Sequence, residues 1–303
     1  MASYGRQLGK LLEALDVLVQ QQSRDGLGEA YIPALDVPGG ERDMPRTAKT
    51  ALVTGASAGL GTHFARLFAQ DGHDVVLVAR RRDKLDQLAT ELREVYGIHP
   101  TVIAADLTDP TAPPHLHEEL TRAGIEVEFL VNNAGVGTSG AFAELDLARE
   151  LDLIELNVTA LTHLTGLVLP AMIARRSGRI LNVGSLAGFL PGPFMATYYA
   201  SKAYVLNFTE ALAYELRGTG VTATVLCPGA TATEFAQVAG VENAALFASS
   251  ADAASVALCG YRAMLRGKTL AVPGVTVRLA LESLRVSPRS VMRVLAAHLN
   301  KPQ

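Results

Sequence analysis

Cysteine is scarce. Cys227 and Cys259 are the only two in 303 residues, and no CxxC occurs, so neither a zinc site nor a redox pair is indicated. Sparse cysteine suits a reducing compartment, and a cytoplasmic location is expected. An excess of one charge is missing too. Lys plus Arg number 27 against 30 Asp plus Glu, a net charge of -3, and nucleic-acid binding is not expected without a basic face. A charge-free apolar run of about 18 residues is also lacking, so no membrane span is expected. The most apolar stretch, 151–174, is interrupted by Asp152, Glu155, Asn157 and His163. The opening MASYGRQLGK has no basic start followed by an apolar run, so no signal peptide is expected. The seven histidines show no metal-ligand spacing: His115 and His117 fall in a surface-helix pattern, HExxH is absent, and no metal is assigned.

What is present is ordinary globular composition, 49% hydrophobic and 19% charged. Residues 1–48 stand apart as an extension to a domain over 49–303. Leu8, Leu11, Leu12, Leu15 and Val19 follow helical spacing and predict one amphipathic helix. A Gly-, Pro- and charge-rich arm follows over 23–49. The helix either docks on its own domain or a neighbouring subunit, or serves as a membrane-surface or partner helix. Its balanced charge disfavours an anionic membrane.

From Thr50 the pattern becomes regular. Short β-branched runs at 50–54, 74–79, 101–105, 128–132, 179–183 and 221–226, with a last one at 270–274, alternate with helical patterns. The runs are apolar on both faces, as strands covered by helices on each side must be. The expected fold is α/β: a doubly wound, mostly parallel, Rossmann-like sheet of about seven strands.

The first strand runs into Gly55, Ser57, Ala58, Gly59, Leu60 and Gly61, and a helix is expected from about Thr62. Glycines there let the backbone approach a pyrophosphate, and the helix N-terminus offers it free N–H groups. At the end of the second strand a carboxylate would hold a ribose 2′-hydroxyl, whereas arginine suits a 2′-phosphate. Arg80 and Arg81 stand there, so NADP(H) is expected over NAD(H); Arg82 reads as a solvated helix start. Asp106, before Leu107, either bonds the adenine amino group or caps the next helix, for which Asp109 is the better candidate.

Tyr198 and Lys202 are four apart in a predicted helix and share a face, with Tyr199 off it. A nearby ammonium and the positive nicotinamide of an oxidised cofactor would favour the phenolate, so that Tyr198 could exchange a proton near neutral pH. Ser185 lies 13 residues earlier, after the fifth strand, where its hydroxyl could hold the same carbonyl oxygen.

With TGASAGLG at 54–61, NNAG at 132–135, Asn157, Ser185, YYASK at 198–202 and PGATAT at 228–233, the sequence resembles the short-chain dehydrogenases/reductases from about Lys49 to Pro273. The resemblance implies an NAD(P)-dependent oxidoreductase acting on CH–OH groups. It implies Tyr198 as general acid/base, with Lys202 binding the nicotinamide ribose and lowering the tyrosine pKa. Ser185 would orient the substrate oxygen and Asn157 would hold a relay water. Leu60 and Leu107 fall within the cofactor set. Asn133, Ala134 and Gly135 would line the adenine-ribose side, and Pro228, Gly229, Thr231 and Thr233 the nicotinamide and pyrophosphate. Ala58 replaces a basic determinant that some members carry. The family also implies a homodimer or homotetramer built on two long helices, about 146–174 and 198–217, although the N-terminal extension departs from the minimal pattern.

Segments 231–250 and 186–194 are apolar, with only Glu234 and Glu242 charged, and offer no cation to an acidic substrate. A small-molecule substrate that is a neutral, rather hydrophobic carbonyl or alcohol is therefore expected. The alternatives are a 3-oxoacyl-ACP or -CoA reductase docking through Arg175, Arg176 and Arg179, and a non-catalytic nucleotide sensor or scaffold.

Overall fold

The computed structural model describes residues 49–241, 250–274, 277, 281 and 288–301. The amphipathic helix and arm expected over 1–48 lie outside the described residues. Seven parallel strands form one sheet in the order β3-β2-β1-β4-β5-β6-β7. They are β1 Thr50–Thr54, β2 Asp74–Ala79, β3 Thr101–Ala104, β4 Val127–Asn132, β5 Gly178–Val183, β6 Val221–Leu226 and β7 Leu270–Ala271. The expected runs are thus met within a residue except the last, where Pro273 has no N–H to continue the ladder. The helices are α1 Gly59–Gln70, α2 Arg82–Tyr96, α3 Ala112–Arg122, α4 Leu147–Ile154, α5 Leu161–Ala174, α6 Ala196–Glu215, α7 Phe235–Ala239, α8 Ala253–Leu265 and α9 Arg289–Asn300.

Alternate side chains of each strand feed two cores. Ala51, Val53, Val75 and Leu77 pack against α1, α2 and α8. Leu52, Val76, Val78 and Leu130 pack against α3, α5 and α6. Burial on both faces explains why the strands read as unbroken apolar runs. The strand order reverses between β1 and β4, and the crevice at their C-terminal ends is where such sheets bind ligands.

One long helix was expected over 146–174. Instead, a π-helical segment, Glu155–Ala160, interrupts it around Asn157. By length and composition the run Leu147–Ala174 could cross a membrane, with mean hydropathy 1.5. Its apolarity has a local use: Leu161, Leu164, Val168 and Met172 are buried within the fold.

Candidate active site

β1 ends at Thr54, whose buried hydroxyl ties the end of β1 to the end of β4 and the turn after it. It donates to the Val131 carbonyl (3.3 Å) and accepts from the N–H groups of Asn133 and Ala134 (3.0 Å each). Asn133 returns the contact, its Nδ2 donating to the carbonyls of Thr54 (2.9 Å) and Gly55 (3.3 Å). NNAG and the glycine loop are therefore one unit. Gly55 adopts φ +66°, and a Cβ at Gly61 would lie 2.2 Å from the Gly55 carbonyl oxygen, so both must be glycine. The helix begins at Gly59, inside the loop, rather than near Thr62, and Ala58 places no side chain on its first N–H groups. That bare N-terminus beside a loop too tight for side chains fits a pyrophosphate.

Arg80 is two-thirds exposed and 3.8 Å from the Asp106 carboxylate. Arg81 is more strongly engaged. It donates to the Ser57 hydroxyl (3.2 Å) and carbonyl (3.3 Å) and pairs with Glu234 at 2.9 Å, bridging the glycine loop to the segment after PGATAT. Arg82 pairs with Asp86 at the start of α2, as a solvated helix terminus would. Neither aspartate offered as a helix cap occupies the N-cap of α3, which is Thr111. Asp106 accepts from Thr108 N–H and Oγ1, and Asp109 does the same for Thr111. Each closes a turn onto its own chain two residues on. The Leu107 side chain is buried in the core, leaving only its backbone to face a nucleotide.

Tyr198 and Lys202 are both buried on one face of α6, with Lys202 Nζ 5.8 Å from the Tyr198 ring centre. Nζ donates to the Val183 carbonyl at 2.8 Å. In the protein alone the phenol is shifted upward; the positive nicotinamide on which the expected acidification also rests is not part of that balance. Burial pushes Tyr198 up to about 12, with the Ser185 hydroxyl beside it pulling the other way. Burial likewise lowers Lys202 to about 8. Removing water penalises each charged form. Ser185 Oγ also accepts the Ala187 N–H (3.1 Å), which fixes its direction.

Asn157 sits at the π segment and is 1% exposed. Its Oδ1 accepts from Val136 N–H (3.0 Å), and its Nδ2 donates to the Val136 carbonyl (2.9 Å) and Ser201 Oγ (3.1 Å). Those contacts use both N–H groups of the amide, so a relay water could meet only Oδ1 or the backbone of Asn157. Gly135 allows the approach: a Cβ there would lie 3.1 Å from Asn157 Oδ1 and 3.4 Å from Lys202 Nζ. The Pro228 carbonyl accepts Leu186 N–H, and Thr231 Oγ1 donates to the Gly229 carbonyl. The Thr233 methyl sits where a Gly59 Cβ would meet it at 3.0 Å. PGATAT and the glycine loop thus touch.

The side of Tyr198 away from the sheet is apolar among the described residues. Phe235 of α7 lies with its ring 5.1 Å from the Tyr198 ring. Val136, Leu153, Leu190 and Met195 complete the wall. Residues 242–249 of the expected covering segment lie outside the described residues. Sequence reading missed Thr54, Ser201 and the buried chain Asn132–Asn182–Thr209 that crosses from β4 to β5 and α6. Asn132 had a visible signal, as the first residue of NNAG, but its role depends on residues 33 or more positions away. The three arginines offered as a docking patch are committed elsewhere. Arg175 donates to the Val127 carbonyl and faces Glu128, Arg176 donates to the Gly218 carbonyl, and Arg179 donates to the Met264 carbonyl.

Comparison with known proteins agrees with this geometry. The family model described as short chain dehydrogenase matches residues 49–243. A sulfoacetaldehyde reductase 2 of Chromohalobacter salexigens is 40% identical over 189 residues, 62% of this chain and 74% of that protein. A human very-long-chain 3-oxoacyl-CoA reductase is 35% identical over 199 residues, and the match spans 64% of this chain but only 63% of the human protein. Among solved structures, a short-chain dehydrogenase from Sphingobium yanoikuyae in complex with NADPH is 34% identical with a TM-score of 0.72, covering 78% of this chain and 92% of that one. One from Burkholderia phymatum in complex with NAD is 26% identical with a TM-score of 0.71, covering 79% and 92%.

Proposed function

The chain belongs to the short-chain dehydrogenase family of NAD(P)-dependent oxidoreductases, and we propose that it uses NADP(H) to interconvert a neutral, hydrophobic ketone or aldehyde with its alcohol. The observation that carries this reading is the Ser185–Tyr198–Lys202 cluster facing an apolar wall that offers no cation to an acidic substrate. The bound dinucleotide would supply or accept the hydride. Gly55, Ser57, Gly59, Leu60, Gly61 and the start of α1 would hold its pyrophosphate, while Arg80 and Arg81 would face the ribose phosphate. Arg80 supports NADP(H) most directly, because its one carboxylate partner is weakly placed. Arg81 would have to share itself with Ser57 and Glu234.

Ser185 orients the carbonyl oxygen, and Tyr198 gives it a proton. A phenol that stays protonated at neutral pH suits the reducing direction. In oxidation, Lys202 as ammonium would help remove that proton. The stripe Leu147, Leu151 and Ile154, exposed at 61%, 57% and 41%, supports a homodimer through the two long helices. The family match beginning at residue 49 supports treating 1–48 as an extension. Both cysteines are free, in keeping with a cytoplasmic protein.

Two other readings have specific tests. The name of the human relative favours a 3-oxoacyl-CoA substrate, yet the arginines proposed to dock it hold backbone carbonyls. A scaffold without catalysis fits poorly with the assembled Ser-Tyr-Lys cluster. Replacing Tyr198 by Phe should abolish turnover of a neutral ketone while NADPH binding stays within about twofold, since the phenol oxygen serves chemistry rather than affinity. Undiminished turnover would end the acid–base assignment. Preference for NADH or for carboxylate substrates would end the cofactor and substrate assignments.

A further inference from the structure

Helix α9, at the far end of the chain, reaches the catalytic helix through one buried amide. Met292, Leu295, Ala296 and Asn300 form its buried face. Asn300 is 2% exposed. Its Oδ1 accepts the Tyr199 hydroxyl at 3.0 Å, and its Nδ2 donates to the Pro193 carbonyl at 3.1 Å. The amide does both from two atoms, whereas a carboxylate has no N–H and an alkyl group has neither function.

Both partners border the substrate wall. Tyr199 adjoins Tyr198 and meets its ring edge-on, with centres 6.1 Å apart at 77°. The segment 190–195, which follows Ser185, wraps over Tyr199 so closely that a Cβ on Gly192 would fall 2.1 Å from the ring. Its Leu190 and Met195 line the apolar wall. The segment's own backbone bonds lie toward its ends, where Leu190 N–H donates to the Ala187 carbonyl (3.3 Å) and Met195 N–H to the Gly192 carbonyl (3.1 Å). Pro191 and Pro193 lack N–H groups, and Phe194 is held at φ +66°, a conformation that a non-glycine residue keeps only under external restraint. The Phe194 carbonyl is held by Gly140 N–H (2.8 Å), and the Pro193 carbonyl by Asn300.

We infer that Asn300 is a positioning residue that clamps segment 190–195 and Tyr199, so that the wall beside Tyr198 keeps the shape that sets which carbonyl substituents fit. The inference rests on the ketone-reductase reading above. Asn300→Ala, Asn300→Asp and Tyr199→Phe separate its parts, since Asp retains the acceptor for Tyr199 but cannot donate to Pro193, and Phe at 199 removes only the other bond. Each variant is assayed with NADPH against one ketone with a small substituent and one with two bulky substituents. Hydrogen exchange over 190–195 is followed in parallel without substrate.

Both Asn300 variants should raise the KM of the bulky ketone about five- to tenfold, the loss of one buried hydrogen bond. The kcat of the small ketone should stay within about twofold. Exchange over 190–195 should accelerate, and Tyr199→Phe should show the smaller effect. An unchanged ratio of the two KM values together with unchanged exchange overturns the inference, even if melting temperature falls, because a purely structural contact moves stability alone. If Asn300→Ala does not fold, the other two variants decide. A wild type inactive on every ketone sinks the parent reading instead, and exchange over 190–195 then still decides whether Asn300 clamps the segment.

Discussion

Lys202 should make the folded protein's stability depend on pH in a window that few lysines affect. The residue is 6% exposed, and its ammonium meets the Val183 carbonyl and has no carboxylate among the groups that shift it. Burial lowers it to about 8 from 10.5. Between those values the unfolded chain carries a proton on this lysine and the folded chain does not, so stability rises with pH. Below pH 8 both states are protonated, and the cost of burying the charge is fully present. A gap of about 2.5 units at about 1.4 kcal/mol each bounds that cost at about 3 kcal/mol, of which about 2 kcal/mol should return between pH 7 and 10. Tyr198 and Cys227, each pushed up to about 12 by burial, oppose it: they bind protons in the folded state after the unfolded chain has lost them, and so lower stability above pH 9 to 10.

The measurement is therefore a difference. Urea unfolding of the cofactor-free protein and of Lys202→Met is compared at steps from pH 7 to 10. The Tyr198 phenol is common to both proteins, Cys227 loses in the variant only the downward pull of Lys202, a lesser effect than its burial, and the wild type should gain about 2 kcal/mol on the variant across the range. A difference that stays flat from pH 7 to 10 would show that Lys202 remains charged in the fold. The reversed pKa order at the site would then be wrong.

Three further outcomes follow from particular contacts. Gly61→Ala puts a Cβ 2.2 Å from a backbone carbonyl that cannot yield, so NADPH fluorescence titration should show binding lost, and intact binding would refute the pyrophosphate assignment. Arg80→Glu should weaken NADPH binding by about tenfold or more while sparing NADH, the expected worth of one charge-assisted phosphate contact; equal loss for both nucleotides would place Arg80 away from the 2′-phosphate. Leu151→Arg puts a charge into the exposed apolar stripe on α4 and should shift sedimentation to the monomer, whereas an unchanged oligomer would move the interface elsewhere.

Local spacing alone determined much of this protein. Strand positions, the glycine loop and the shared face of Tyr198 and Lys202 are properties of neighbouring residues. Burial on both sheet faces and one helical turn are readable from a few positions. The tertiary structure decided what spacing cannot carry. It raised the Tyr198 pKa in the protein alone, because desolvation depends on every segment packed around the phenol. It turned the Asn157 side chain onto Val136 and Ser201, and Arg81 onto Glu234, 153 positions away. It also brought Asn300 to Tyr199 across 101 residues. A hydrogen bond or an ion pair needs only proximity in space, and no periodicity along the chain records which distant groups the folded core will bring within 3 Å.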